Sequence, residues 1–211
     1  MLRLGAGECR GRECRRTQAH YRLQFYSPPL RASVPSTHSS SYHPPVLHVA
    51  LYQPSIPPNT GNIARQCVGM RARLHLIGPL GFSIDSHAVR RAGLDYWPHL
   101  DLRLHDGPDA FLFWLDQHAR DRGRPDLPPI WLITKHARRR YHHAPFADED
   151  VILLGNEIAG LPQPWLDRWR DRCLSIPMPG PVRSYNLANS AAIVMAHACL
   201  AAGMYDRWES Q

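Results

Sequence analysis

The sequence lacks the segments and cysteine patterns that mark membrane and secreted proteins. No apolar run approaches the roughly 18 residues that a bilayer-spanning helix needs, and no segment resembles a secretory signal. The chain of 211 residues has five cysteines, an odd number at scattered spacings, which argues against a disulfide framework. We therefore expect reduced thiols, no membrane association and a cytoplasmic location.

The sequence also lacks the short motifs that bind common cofactors and metals. A GxGxxG turn would follow the first strand of a dinucleotide-binding domain, but residues 53–59 read QPSIPPN instead. A GxxxxGK[ST] phosphate loop is absent, the 13 histidines show no HExxH spacing, and the cysteines show no CxxC spacing. These absences disfavour dinucleotides and nucleoside triphosphates as ligands, and they predict that the protein holds no metal.

Positive charge is concentrated at the amino terminus. Of the formal net charge of +7, residues 1–45 carry +5, from seven arginines against Glu8 and Glu13, which leaves +2 for residues 46–211. Because residues 1–45 are rich in Ser and Pro without an apolar period, we predict a disordered basic extension there and one folded domain over residues 46–211. The extension has three open interpretations: a tail that adds RNA affinity, an organelle-targeting peptide, or the product of a misassigned translation start.

From Val46 onward, apolar runs alternate with helical patterns. Five runs are predicted to be buried strands: Val46–Tyr52, Leu74–Ile77, Ile130–Thr134, Val151–Leu154 and Cys173–Ile176. The predicted helices are Thr60–Met70, Ser86–Ala92, Asp109–Arg120, Pro164–Asp171 and Asn186–Ala202. This alternation predicts an α/β fold, a parallel sheet with helices on both faces.

Three polar segments stand out against this pattern. They are NTGNIAR at residues 59–65, GNEIAGL at residues 155–161, and IPMPG at residues 176–180, which continues to SYNLAN at residues 184–189. The predicted strands place each segment at the carboxyl end of a strand or at the start of a helix. Ligands gather at these positions in open parallel sheets, so the three motifs are predicted to form one site.

Together the motifs resemble the three signature motifs of the SPOUT methyltransferase superfamily. The first motif, with the prefix QPSIPP at residues 53–58, is similar to tRNA wobble-nucleotide 2′-O-methyltransferases of the TrmL type, as is RRAGLDY at residues 90–96. The resemblance covers about residues 47–205. It implies S-adenosylmethionine as methyl donor, a carboxyl-terminal trefoil knot, a homodimer, and tRNA as substrate, methylated at a cytidine or modified uridine at position 34.

The resemblance also implies roles for individual residues. Arg65 and Asn59 match the catalytic positions. Since an arginine side chain is effectively always protonated, we expect Arg65 to hold the target phosphate and orient the ribose hydroxyl rather than act as a base. The remaining expected cofactor contacts are backbone groups of Leu132, Gly155 and Ile176 together with Ser184, and Glu157 and Asn186 are expected to contact the RNA. Lys135 and Arg138 belong to a basic run that directly follows the predicted strand Ile130–Thr134, so we expect them to meet RNA phosphates.

Simpler interpretations of the same residues stay open at this point. Asn59, after two prolines, suits a helix N-cap, and Arg65 alone would be an ordinary solvated helix residue. Gly155 and Gly160 could simply allow a tight turn with positive φ, Glu157 could cap the helix that follows it, and the basic run Lys135–His143 could be a solvated face. For function, the alternatives are methylation of another RNA such as ribosomal RNA, or a noncatalytic RNA-binding factor on the same fold.

Overall fold

The computed structural model of the chain describes residues 46–84 and 95–209. Its strands are β1 (His48–Tyr52), β2 (Arg73–Ile77), β3 (Leu102–His105), β4 (Ile130–Ile133), β5 (Val151–Leu154) and β6 (Cys173–Leu174). Its α-helices are α1 (Pro57–Gly69), α2 (Pro108–Asp121), α3 (Gln163–Arg168), α4 (Leu187–Ala201) and α5 (Met204–Glu209), with short 3-10 helices at Trp97–His99, Tyr141–His143 and Arg170–Arg172. The predicted extension over residues 1–45 and the predicted helix Ser86–Ala92 lie outside the described residues.

All six strands belong to one parallel sheet, in the order β3-β2-β1-β5-β4-β6. Near its centre, Val49 of β1 pairs with Leu74 of β2 on one side and with Ile152 of β5 on the other. Parallel neighbours need crossover connections, and α1 provides the one between β1 and β2. The prediction of an α/β fold with a parallel sheet is confirmed.

The apolar run pattern does not reveal β3. This strand lies at the edge of the sheet, and its residues Arg103 and Leu104 are exposed. It therefore lacks the continuous apolar run that marks strands buried on both faces.

Helices cover both faces of the sheet. Val49 packs in one apolar cluster with Ile63 of α1 and Val194 of α4. The next residue, Ala50, packs in a second cluster with Phe111 of α2. Because neighbouring strand residues point to opposite faces, the two clusters are the two sides of the sheet, as the sequence predicts.

Helix boundaries differ from the prediction by a few residues. α1 begins at Pro57 rather than Thr60, because a proline fits the first helical turn, where its missing N–H leaves no helical hydrogen bond unmade. α4 follows Asn186, whose side-chain oxygen accepts hydrogen bonds from the N–H groups of Ala188 (2.8 Å) and Asn189 (3.4 Å). Within residues 46–84 and 95–209, no helix combines the length and apolar character that crossing a membrane requires.

Candidate functional site

A cavity of about 540 Å³ opens at the carboxyl ends of β4 and β5. Residues 133–136 and 154–161 line it, together with members of segment 176–190 and with Ile56 and Asn59 at the start of α1. Leu161 and Met178 give it apolar surface beside its polar groups. Its volume and mixed lining are typical of small-molecule sites, and it lies at the sheet edge where such sites form.

The cavity brings together seven of the ten predicted site residues, and all three motifs contribute to them. They are Asn59, Lys135, Gly155, Glu157, Ile176, Ser184 and Asn186. Residues far apart in the sequence therefore meet as the motif positions predict.

The other three predicted residues do not line this cavity. Leu132 is fully buried within β4, and the lining begins one residue later, at Ile133. Arg138 is exposed and lines a second cavity of about 680 Å³. Arg65 is exposed on α1, with its guanidinium carbon 4.9 Å from the centroid of the Tyr96 ring. The ligand and RNA contacts expected of all ten residues stay predictions.

The carboxylate of Glu157 ties the second motif to the first. Its Oε2 accepts hydrogen bonds from the backbone N–H (2.9 Å) and hydroxyl (3.0 Å) of Ser55. Its Oε1 accepts from the N–H of Ile56 (3.2 Å) and the side-chain amide of Asn59 (3.1 Å). Since α1 has no side-chain cap of its own and no acid in its first turn, Glu157 satisfies backbone donors at its start and places a negative charge at the positive end of the helix dipole.

Two of the simpler interpretations are therefore wrong. Asn59 is the third residue of α1 and not its N-cap, which is Ile56, because the helix begins two residues earlier at Pro57. Glu157 caps α1 rather than the helix that follows it, since the N-cap of α3 is Pro162 and makes no side-chain hydrogen bond.

Hydrogen bonds continue from Glu157 to the third motif, and the donor and the acceptor of each can be assigned. A carboxylate only accepts, so Asn59 must turn its NH₂ group toward Glu157 and its oxygen away. That oxygen accepts from Nδ2 of Asn186 at 2.9 Å, which leaves the oxygen of Asn186 to cap α4. Burial raises the pKa of Glu157, but the hydrogen bonds from Ser55 and Asn59 outweigh it and hold the pKa below its ordinary value. One ionised carboxylate therefore orients two amides.

The turn after β5 requires glycine at position 155. A Cβ there would lie 2.3 Å from the carbonyl carbon of Gly160, because residues 156 and 160 exchange two backbone hydrogen bonds of 3.1 and 2.9 Å. Asn156, which the motif analysis did not single out as a site residue, strengthens the turn by accepting from Ile158 (2.9 Å) and donating to the carbonyl of Gln53 (2.6 Å). An Asn at this point of a turn is the sequence signal for such bonding. The interpretation of a tight turn with positive φ is confirmed for Gly160, whose φ is 73°, whereas Gly155 is required by the close approach of the Gly160 backbone.

A second polar cluster, made of histidines and Glu149, lies in the core, and none of its members lines the cavity. Oε2 of Glu149 accepts from Nε2 of His48 (3.0 Å) and Nε2 of His118 (2.7 Å). With its proton on Nε2, His48 accepts at Nδ1 from Nε2 of His75 (2.9 Å). In the same way, His75 accepts at Nδ1 from Nε2 of His105 (2.9 Å). Burial lowers the pKa of all three strand histidines, that of His105 to about 4. The lowered pKa values favour neutral rings, and the hydrogen bonds require neutral rings because His48 and His75 each accept at Nδ1.

This cluster is better explained as a hydrogen-bonded core than as a metal centre. Among the described residues, His48, His118 and Glu149 form the group that could hold a metal, with ligand atoms within 4.8 Å of one another. Both imidazoles, however, already donate to one oxygen of Glu149, and Nη1 of Arg122 lies 2.9 Å from the other. Burial raises the pKa of Glu149, but the hydrogen bonds from His48 and His118 and the positive charge of Arg122 lower it to about 2. The absence of a bound metal stays a prediction.

Known proteins resemble this chain over most of its length. Residues 46–196 match the SpoU rRNA Methylase family. A tRNA (cytidine(34)-2′-O)-methyltransferase of Burkholderia ambifaria is 39% identical over 159 residues, which are 75% of this chain and 97% of that protein. A structure solved for insight into 2-OH methylation of C/U34 on tRNA is 40% identical, covers 80% of this chain and 100% of its own, and has a TM-score of 0.66.

A structure with lower sequence identity also comes from a SpoU methyltransferase. The SpoU methyltransferase AviRb of Streptomyces viridochromogenes, solved in complex with AdoMet, is 28% identical, with a TM-score of 0.61. It covers 74% of this chain and 58% of its own. Because the family match spans well over half of the sequence, the chain belongs to the SpoU rRNA methylase family.

Proposed function

We propose that this protein transfers a methyl group from S-adenosylmethionine to the ribose 2′-hydroxyl of the tRNA wobble nucleotide, a cytidine or modified uridine at position 34. The observation that carries the proposal is the cavity, in which hydrogen bonds from Glu157 through Asn59 to Asn186 join three motifs into one site. The similar proteins concerned with nucleotide 34 of tRNA support this substrate.

The cavity fits S-adenosylmethionine in size and chemistry. Apolar side chains such as Leu161 and Met178 line it, and the glycine at position 155 lets the backbone of the lining loop pack against itself in the turn after β5. When bound, the cofactor supplies an electrophilic methyl group. We assign Gly155, Ile176 and Ser184 to hold it, and Leu132, which is buried, would take part through its backbone alone. The proposal assigns no metal to the reaction.

The protein must activate a ribose hydroxyl, which is a poor nucleophile at neutral pH. Arg65 binds the neighbouring phosphate and orients the hydroxyl, while that phosphate or water takes the proton, since a guanidinium is a reluctant base. Asn59 holds the loop geometry through its two amide partners. Four residues make the remaining RNA contacts: Lys135 and Arg138, whose side chains are exposed, and Glu157 and Asn186, which face the cavity.

Four broader features belong to the same proposal. Residues 46–211 form the methyltransferase domain, with a carboxyl-terminal trefoil knot, and the family match begins at residue 46. Residues 1–45 add basic charge that attracts RNA.

The protein is a homodimer, for which Leu200, 66% exposed on α4, offers apolar surface. Sedimentation equilibrium tests this oligomeric state. The protein acts in the cytoplasm, where reduced thiols such as Cys67, Cys173 and Cys199 are usual.

The site of methylation can be mapped directly. The full-length protein and labelled methyl donor are incubated with total RNA, with and without excess chelator; cofactor binding is measured by calorimetry under both conditions, and the modified nucleotide is identified by mass spectrometry. We expect one 2′-O-methyl group at position 34. Label in ribosomal RNA alone would establish the alternative substrate, binding without transfer would establish the noncatalytic factor, and loss of cofactor binding on chelation would establish a metal requirement.

Arg65 can be tested by substitution. In single-turnover reactions, Arg65→Ala should lower methyl transfer by roughly a hundredfold or more, with stability and S-adenosylmethionine affinity kept. Arg65→Lys is the control, because it keeps the charge but loses the planar fork. Near-normal transfer by a folded Arg65→Ala variant would remove Arg65 from the mechanism.

A further inference from the structure

The guanidinium of Arg65 rests against an aromatic ring. Its carbon lies 4.9 Å from the centroid of Tyr96, within the distance at which a cation over a ring face is attracted. Arg65 is otherwise an exposed helix residue with a long side chain, which would sample many rotamers in solution. The ring therefore selects among the orientations that the guanidinium can adopt.

Tyr96 is itself fixed to the same helix. Its hydroxyl donates a 2.8 Å hydrogen bond to the carbonyl of Gly61, one turn before Arg65 on α1. The ring also packs against the apolar cluster on this face of the sheet, next to Trp97. Burial raises the pKa of Tyr96, partly offset by Arg65, so the phenol keeps the proton that it donates. One tyrosine thus connects the backbone and the cation of α1.

We propose that Tyr96 is a positioning residue that holds the Arg65 guanidinium in the orientation required for methyl transfer. The inference rests on the proposed function and adds a residue outside the three motifs. A side chain that is already oriented loses less entropy on reaching the transition state. Tyr96 should therefore affect the rate of transfer more than the affinity for tRNA or for S-adenosylmethionine.

Tyr96→Leu and Tyr96→Phe test the proposal in the full-length protein, each with Arg65 present and in an Arg65→Ala background. With Arg65 present, Tyr96→Leu should lower single-turnover transfer about tenfold, and Tyr96→Phe, which keeps the ring but loses the anchor to Gly61, about threefold. In the Arg65→Ala background, neither change should slow transfer further, because the residue they position is gone. Dissociation constants and melting temperatures should stay close to those of the parent protein.

The outcomes separate this inference from the proposed function. Slow transfer by Arg65→Ala with normal transfer by Tyr96→Leu would overturn the role of Tyr96 alone. Normal transfer by Arg65→Ala would overturn the roles of both Arg65 and Tyr96. Absence of methyl transfer by the parent protein would overturn the proposed function itself. An equal loss from the tyrosine substitutions in both backgrounds would mean that Tyr96 supports the fold and not Arg65. If Tyr96→Leu does not fold, the same comparison with Tyr96→Phe decides.

Discussion

Replacing Glu157 with glutamine tests whether one negative charge organises the candidate site. The substitution keeps the size of the side chain but exchanges one acceptor oxygen for an NH₂ group. Donors of Ser55 point at one carboxylate oxygen, and donors of Ile56 and Asn59 point at the other. Whichever way the new amide turns, its NH₂ group faces donors, so about half of the hydrogen bonds are lost.

The size of the effect follows from these contacts. A hydrogen bond to a charged group contributes about 1.5–3 kcal/mol, and water can reach the partly exposed site and replace some of the loss. We therefore expect Glu157→Gln to lower the free energy of unfolding by about 2–4 kcal/mol and to weaken S-adenosylmethionine binding. Urea unfolding and calorimetry at pH 7 measure the two quantities. Asp116→Asn on α2 is the matched control, because its ion pair with Arg120 is exposed and should cost at most about 0.5 kcal/mol.

The pH dependence gives a second test. Because the folded state lowers the pKa of Glu157, its ionised form adds stability above the unfolded carboxyl pKa, and this stability is lost as the pH falls through the folded pKa. The difference between wild type and Glu157→Gln should therefore shrink below about pH 4. Equal unfolding midpoints and equal cofactor affinities at pH 7 would refute the role given to the carboxylate.

Three further predictions concern other parts of the molecule. Gly155→Ala should destabilise the protein by about 2 kcal/mol or more and abolish cofactor binding. The control Gly69→Ala has open space around the added methyl group and should be tolerated. Melting curves measure the stability of both variants, and calorimetry measures their cofactor binding. Since the folded state lowers the pKa of His75, stability should fall below about pH 6.5, by up to about 1.4 kcal/mol per pH unit for each histidine kept neutral. His75→Asn should flatten that slope in urea unfolding, and an unchanged slope would contradict the neutral array. Lys135 is the sole lysine and lines the cavity, so bound S-adenosylmethionine should slow its acylation by an amine-reactive reagent, as peptide mass spectrometry would show; equal rates would mean that Lys135 does not face the bound cofactor.

The central sheet and the cavity could be predicted because their signals are local. Buried strands such as β5 are short apolar runs, and the helical pattern predicted from Asn186 onward begins one residue before the observed start of α4. The start of α1 could not be predicted in the same way. Its capping acceptor, Glu157, is 101 residues from Ile56, and capping patterns describe neighbours in sequence.

The histidine array was beyond prediction for a related reason. His75 pairs in register with Ala50, two residues after His48, and His105 pairs with Ile77, two residues after His75. The three rings therefore meet as diagonal neighbours on one face of the sheet. Strand register decides this meeting, and the sequence does not state the register.

The remote cap of α1 couples two motions that would otherwise be independent. The backbone N–H groups of Ser55 and Ile56 at the start of α1 donate to Glu157, which lies on the loop that lines the cavity. Fraying of the helix start and opening of the loop therefore break the same hydrogen bonds. Local opening of this kind exposes amide protons to exchange, and a ligand that binds only the closed state suppresses it. Occupation of the cavity should thus protect the amide of Ser55, a residue outside its lining. The helix start then reports on the occupancy of the site.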